Sequence, residues 1–117
     1  MATFAVHRTS AHLAYHFDLR DDHDHLLLQS EGYASLADCY RAIQSIREAA
    51  PYPNNYRLAN AADGRAFFRL VHPITQRVLG TGNFYANAAE RDAAIRNLCF
   101  QVAAAGVVND TSASSRY

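Results

Sequence analysis

The sequence predicts an α+β fold of two tandem β-β-β-α(-β) repeats forming a shared antiparallel sheet with two packed helices. Three observations carry that expectation. SEGYASLADCYRAIQSI at 30–46 returns in degraded form as TGNFYANAAERDAAIRNL, with Tyr33 aligned on Tyr85. Ahead of each copy, apolar and polar residues alternate. Within each copy, a helix-start signal precedes an apolar stripe.

In chain order, Leu13, Tyr15, Phe17 and Leu19 share one side of a strand, as do Ala66, Phe68 and Leu70. Phe17 aligns with Phe68 and Leu19 with Leu70, one residue short of the offset that relates Tyr33 to Tyr85. The slip falls within RDDHDH (20–25) and VHPITQR (71–77), which are expected to be hairpin loops, where a length change is easiest to absorb. ADG at 62–64 is a turn signal joining a strand over 56–61 to one over 65–71.

Ser35 with Asp38, and Asn87 with Glu90, place a cap acceptor three residues before an acidic side chain, a signature of a helix start. Leu36, Cys39, Tyr40, Ile43, Ile46 and Ala50 then trace one apolar face, and Ala88, Ile95, Leu98, Cys99, Val102 and Ala105 a similar one. Pro51 is expected to close the first helix and Gly106 the second. A short strand is expected at Val107–Asn109, and DTSASSRY (110–117) is polar enough to fray. The expected organisation is one compact domain over 1–109, repeat one at 1–53 and repeat two at 54–109, with a flexible tail at 110–117. A unit of about 50 residues covers only one face of a small sheet, so the second copy completes a core that the first leaves open.

Composition narrows the function classes. Eleven Arg balance eleven Asp plus Glu, with no Lys, so no net field draws the chain to phosphate backbones or anionic lipid. Nucleic-acid binding is disfavoured, and a membrane role is not expected, because no apolar run approaches the roughly 18 residues of a spanning helix. MATFAVHRTS lacks a charged segment followed by an apolar core, so no signal peptide is expected. Cys39 and Cys99 lie in different helices without CxxC spacing and read as free thiols, which points to a cytoplasmic address.

LLLQSEGYASLADCYRAIQSIREAA (26–50) resembles the repeat of the YegP-like family, small bacterial proteins grouped under a domain of unknown function. That repeat carries Phe-x-Leu, a Lys-Ala-x-Asn-Gly turn, Ser-Glu-x-Tyr-x-Ser and a helix with Gly-Ile-x-Ser-Val. FDL (17–19), SEGYAS (30–35) and AIQSI (42–46) match it in the first copy, and FRL (68–70), VLGTGNFYAN (78–87) and AIRNL (94–98) more loosely in the second. The resemblance implies tandem three-strand–helix–strand motifs in one sheet, with C-terminal strands exchanged between the repeats. Single-repeat members are expected to build the same assembly as a dimer. Both Asn-Gly turns are replaced here, by DDHD and HPIT, and the helix Gly is Ala42 or Ala94. The resemblance brings no catalytic residue.

Candidate sites are few. Asp22, His23, Asp24 and His25 carry metal-ligand chemistry, but neighbouring turn residues rarely converge on one ion, and a solvated turn is the alternative. His7, His12, His16 and His72 sit in no ligand frame. GTG at 80–82 is too short to cradle phosphate, and Gly80 is expected to serve strand or bulge geometry. Cys39 lies on an apolar stripe, where a thiol is inert. Tyr33 and Tyr85 recur before each cap, as structural staples or as a ligand platform. His16, Asp18, Arg65, Phe67 and Arg69 should point away from the core side, and the Arg65–Phe67–Arg69 comb offers a face for an anionic or planar partner. No nucleophile elbow, carboxylate pair or cofactor motif is present. The expected function is a non-enzymatic binding or structural module, capable of self-association, with no cofactor. The alternative is a small-molecule or metal-binding protein using the 21–25 turn or the arginine-bearing strand face.

Overall fold

A computed structural model describes residues 2–10 and 12–111. Along them run β1 (Thr3–Arg8), β2 (Tyr15–Arg20), β3 (Leu26–Gln29), α1 (Leu36–Ala49), β4 (Tyr56–Asn60), β5 (Ala66–Val71), β6 (Val78–Thr81), α2 (Ala88–Gln101) and β7 (Gly106–Asn109). The strands form one sheet in the order β4-β5-β6-β3-β2-β1-β7. Its halves meet at β3 and β6, where Gln29 pairs with Thr81. The expected antiparallel sheet holds for every pair but one: β7 runs parallel to β1, Phe4 opposite Val107 and Val6 opposite Asn109. β1 and β7 are separated by the whole intervening chain, and α2 carries that chain from β6 across to the outer side of β1.

The turns form where chain chemistry allows. DDHDH and HPITQR link β2 to β3 and β5 to β6, and each puts one non-glycine residue in the left-handed region, Asp24 at φ 64° and Gln76 at φ 61°. Gly64, at φ 89°, serves the β4–β5 hairpin. The Ser35 hydroxyl accepts from Asp38 N–H and the Asn87 side chain from Glu90 N–H, so both helices start as the sequence indicates.

Several sequence expectations need correction. Leu13 lies before β2 and is exposed, because the strand begins only where Tyr15 bridges to Tyr33. Tyr40 is exposed at the edge of the α1 stripe. In α2, Ala88 faces solvent, and the buried positions are Arg91, Ile95 and Leu98. The buried Arg91 is partnered at Nε, where Asp92 Oδ1 lies 3.0 Å away. Gly106 opens β7 instead of closing α2; the helix stops at Gln101 and passes into a 3-10 turn, Val102–Ala104. Asp110 is held, its N–H donating to Val6 O at 2.8 Å. The rest of the expected tail, from 112 on, lies outside the described residues.

The core is a single layer between the helices and one face of the sheet. Phe4, Phe17, Leu19, Leu28, Phe68 and Leu70 from strands meet Ile46, Leu98 and Val102 from the helical segments, all shielded from solvent. Across the β3–β6 junction the two halves are unlike. Leu28 pairs with Leu19, but the residue paired with Leu70 is Gly80, and Leu28 fills the space a Gly80 side chain would need. Arg47 of α1 reaches across to the far end of the chain, donating to Val102 O at 3.0 Å and Ala105 O at 2.7 Å, with its guanidinium 5.4 Å above the Phe4 ring.

Candidate functional site

The helices cover one face of the sheet, and strand alternation turns the other set of side chains away from them. On that open face a polar row crosses the sheet in register: Asp18, Gln29, Thr81, Arg69 and Arg57. Two clusters lie on either side of the junction.

In the second half, the sequence-predicted comb acquires a fourth member. The Arg65 guanidinium lies 4.4 Å above the Phe84 ring, Phe84 meets Phe67 edge-on at 5.3 Å, and Arg69 lies 4.9 Å above Phe67. The result is a continuous Arg65–Phe84–Phe67–Arg69 ladder. Arg65 precedes β5 and is steered by Asp63, whose carboxylate takes its Nε–H at 2.7 Å. Phe67, expected on the open side, is only 9% exposed because Phe84 and Arg69 lie over it, whereas Phe84 is 45% exposed. Phe84 could have been suspected from the repeat, since its counterpart is Gly32. A flat apolar surface flanked by cations suits a planar anion.

In the first half, His7 Nε2 stands 3.3 Å from Asp18 Oδ2 and its Nδ1 3.6 Å from Asp110 Oδ2. The His16 ring is 5.2 Å from that of His7. Burial and then the His7 charge hold His16 below the usual imidazole range, against a smaller opposing effect of Asp18. Arg20 Nε approaches Asp18 Oδ1 at 3.5 Å without hydrogen-bond geometry, leaving that buried oxygen without a hydrogen-bond partner among the described residues.

The 21–25 turn is organised by Asp21, which takes the N–H groups of His23 and His25 on Oδ1 and lies 3.1 Å from His25 Nδ1 through Oδ2. These bonds hold the Asp21 carboxyl below the usual range. Among the described residues no group of three or more His, Cys, Asp or Glu is placed to hold a metal. The turn instead borders a cleft of about 600 Å³ whose walls include Arg20, Asp24, His25, Asn83 and Tyr85. A second cleft, beside α1 and about 350 Å³, has Arg41, His72 and Arg77 in its wall. His72 is committed to its own turn, Nδ1 accepting from Ile74 and Thr75 N–H. Tyr33 and Tyr85 both pair through their backbones, with Tyr15 and Ala66, where the chain enters each helix. Cys39 is buried, and burial together with the Asp38 charge pushes its thiol up to about 11.

A family model described as a domain of unknown function (DUF1508) matches residues 14–56. The UPF0339 protein in the ptx operon 5′ region of Stutzerimonas stutzeri is 30% identical over 97 residues, 82% of this chain and 85% of that protein. The UPF0339 protein YegP of Shigella flexneri is 27% identical over 84 residues, 72% and 76% of the two chains. The solution NMR structure of the protein of unknown function yegP from E. coli superposes with a TM-score of 0.85 at 24% identity, over 94% of this chain and 93% of that one. That of the UPF0339 protein SO3888 from Shewanella oneidensis also reaches 0.85, at 20% identity over 95% and 92%. Both structures share the mixed architecture of one sheet and two helices. No helix among the described residues is long and apolar enough to cross a membrane.

Proposed function

The chain belongs to the YegP-like UPF0339 family, and from that premise we propose that it is a non-enzymatic binding module that presents the open face of β5 and β6 to a planar anionic partner. The supporting observation is the Arg65–Phe84–Phe67–Arg69 ladder, which holds a pair of rings between two guanidinium groups, with the outer ring, Phe84, half in solvent. Desolvating such rings against a flat ligand stabilises a complex by stacking, and the flanking charges select anions. We read the two halves as tandem repeats, with the last strand of the second laid on the first. The twofold occurrence of strand–strand–strand–helix, the matching caps and the matching Tyr33 and Tyr85 bridges support that reading. The test is an amide chemical-shift titration with ATP and inorganic phosphate. Shifts clustered on 65–69 and 81–84 with ATP, and lost in Phe84→Ala, are expected. Shifts scattered over the surface, or none at millimolar ligand, would overturn the assignment.

A second reading is favoured by the cleft beside the 21–25 turn. His25, Asp24 and Arg20 border a space of about 600 Å³ that fits a small polar molecule. A thermal-shift screen separates the two, since a ligand of the folded state raises stability. Sensitivity to His25→Ala with indifference to Phe84→Ala would favour the cleft.

A further inference from the structure

Among the described residues the margins of the sheet are β4 and β7, and their surroundings differ. β1 and β4 are equivalent strands: Val6 opposes Phe17 as Leu58 opposes Phe68. β1 is flanked on its outer side by β7, and Val6 is fully buried. No strand among the described residues flanks β4, and Leu58 is 57% exposed. Beside it opens a groove of about 260 Å³ between β4 and α2, walled by Pro53, Tyr56, Leu58, Asp92, Ile95 and Arg96. Neither proline nor a bulge interrupts β4; the features that discourage pairing at this margin are its short length and one charge, Arg57.

We propose that this margin is the interface for a second copy of the chain, β4 pairing antiparallel with β4 of its partner about a two-fold axis at Leu58. Ala61 N–H bonds to Arg65 O, so the antiparallel alternation commits Ala59 and Arg57 to β5 and turns the amide and carbonyl groups of Leu58 and Asn60 outward. Centred on Leu58, the pairing is self-complementary. Leu58 meets its own copy on the helix side, and Arg57 opposes the small Ala59 instead of another arginine. The groove wall at this margin carries one acid and one base, Asp92 and Arg96, so two copies meeting there bring no excess of like charge together. Joining β4 to β7 of another copy would instead be head-to-tail and would build a ring or an open filament, not a two-fold dimer. The short strand gives a small interface, so the dimer should be weak, with dissociation roughly in the micromolar range.

The experiment is light scattering of the intact chain from micromolar to millimolar concentration, combined with amide hydrogen exchange. A mass rising to twice the monomer is expected, with Leu58 and Asn60 amides slowing as concentration rises. Leu58→Asp, at an exposed position, should keep the monomer's circular dichroism and abolish the rise, while Val108→Asp on the opposite margin should leave it intact. A monomer throughout, a dimer indifferent to Leu58→Asp, or larger species sensitive to Val108→Asp would each overturn the proposal.

Discussion

Substituting the pair that joins the two halves, Leu28 and Gly80, tests how the sheet is held together. A methyl group built on Gly80 lies 2.7 Å from Leu28 Cγ and 2.9 and 3.1 Å from its two terminal carbons. Leu28 is fully buried and cannot swing into solvent. Gly80→Ala should therefore overpack the junction and cost about 1–3 kcal/mol. Leu28→Ala removes most of a buried leucine side chain and should cost about 2–5 kcal/mol. The two effects must not add. In the double variant the new methyl occupies part of the vacated space, so strain and cavity cancel in part, and about 1–2 kcal/mol should return as coupling energy. Urea unfolding of the four proteins of the cycle supplies the numbers, read from midpoints at constant slope. Additivity within about 0.5 kcal/mol would refute the claim that Leu28 occupies the seat of the absent Gly80 side chain.

Other outcomes follow from single groups. The Tyr56 hydroxyl donates to Ala50 O at 2.8 Å in a buried setting. Tyr56→Phe should cost roughly 1 kcal/mol in chemical denaturation and leave the fold unchanged. His16 titrates below its ordinary value in the folded chain, so its protonation favours unfolding. Its contribution is complete above about pH 6.5 and is lost as pH falls from there through the depressed folded value. The fall in midpoint between pH 7 and 5 should therefore be shallower in His16→Gln. Cys39, with its thiol pushed up to about 11, should resist alkylation at pH 8 until the chain unfolds, whereas the half-buried Cys99 should react first. Mass spectrometry of the alkylated peptides orders the two.

Much of the architecture was legible because it rests on local chemistry that recurs. Ser35 and Asn87 announce their helices, alternation marks β2 and β5, and the polar segments 21–25 and 72–77 form turns. What escaped depends on tertiary context. The parallel β1–β7 pair is set by where α2 delivers the chain, which no pattern within Gly106–Asn109 encodes. The buried Arg91 interrupts the apolar periodicity of α2, its Nε paired with the neighbouring Asp92. The Arg65–Phe67–Arg69 comb was visible as alternation, but its outermost ring was not: Phe84 arrives from a loop after β6, where no strand period applies.

The parallel pairing of β7 with β1 governs how the molecule meets mechanical load. Tension along the chain from before Thr3 to beyond Asn109 pulls these neighbouring strands lengthwise past each other, because the loaded end of one lies at the opposite end of the other. Their ladder must then shear as a unit instead of unzipping rung by rung, and the two Arg47 bonds just upstream of β7 resist alongside it. Stretched this way, the chain should yield at higher force than when gripped through the β4–β5 hairpin, whose antiparallel rungs open one at a time.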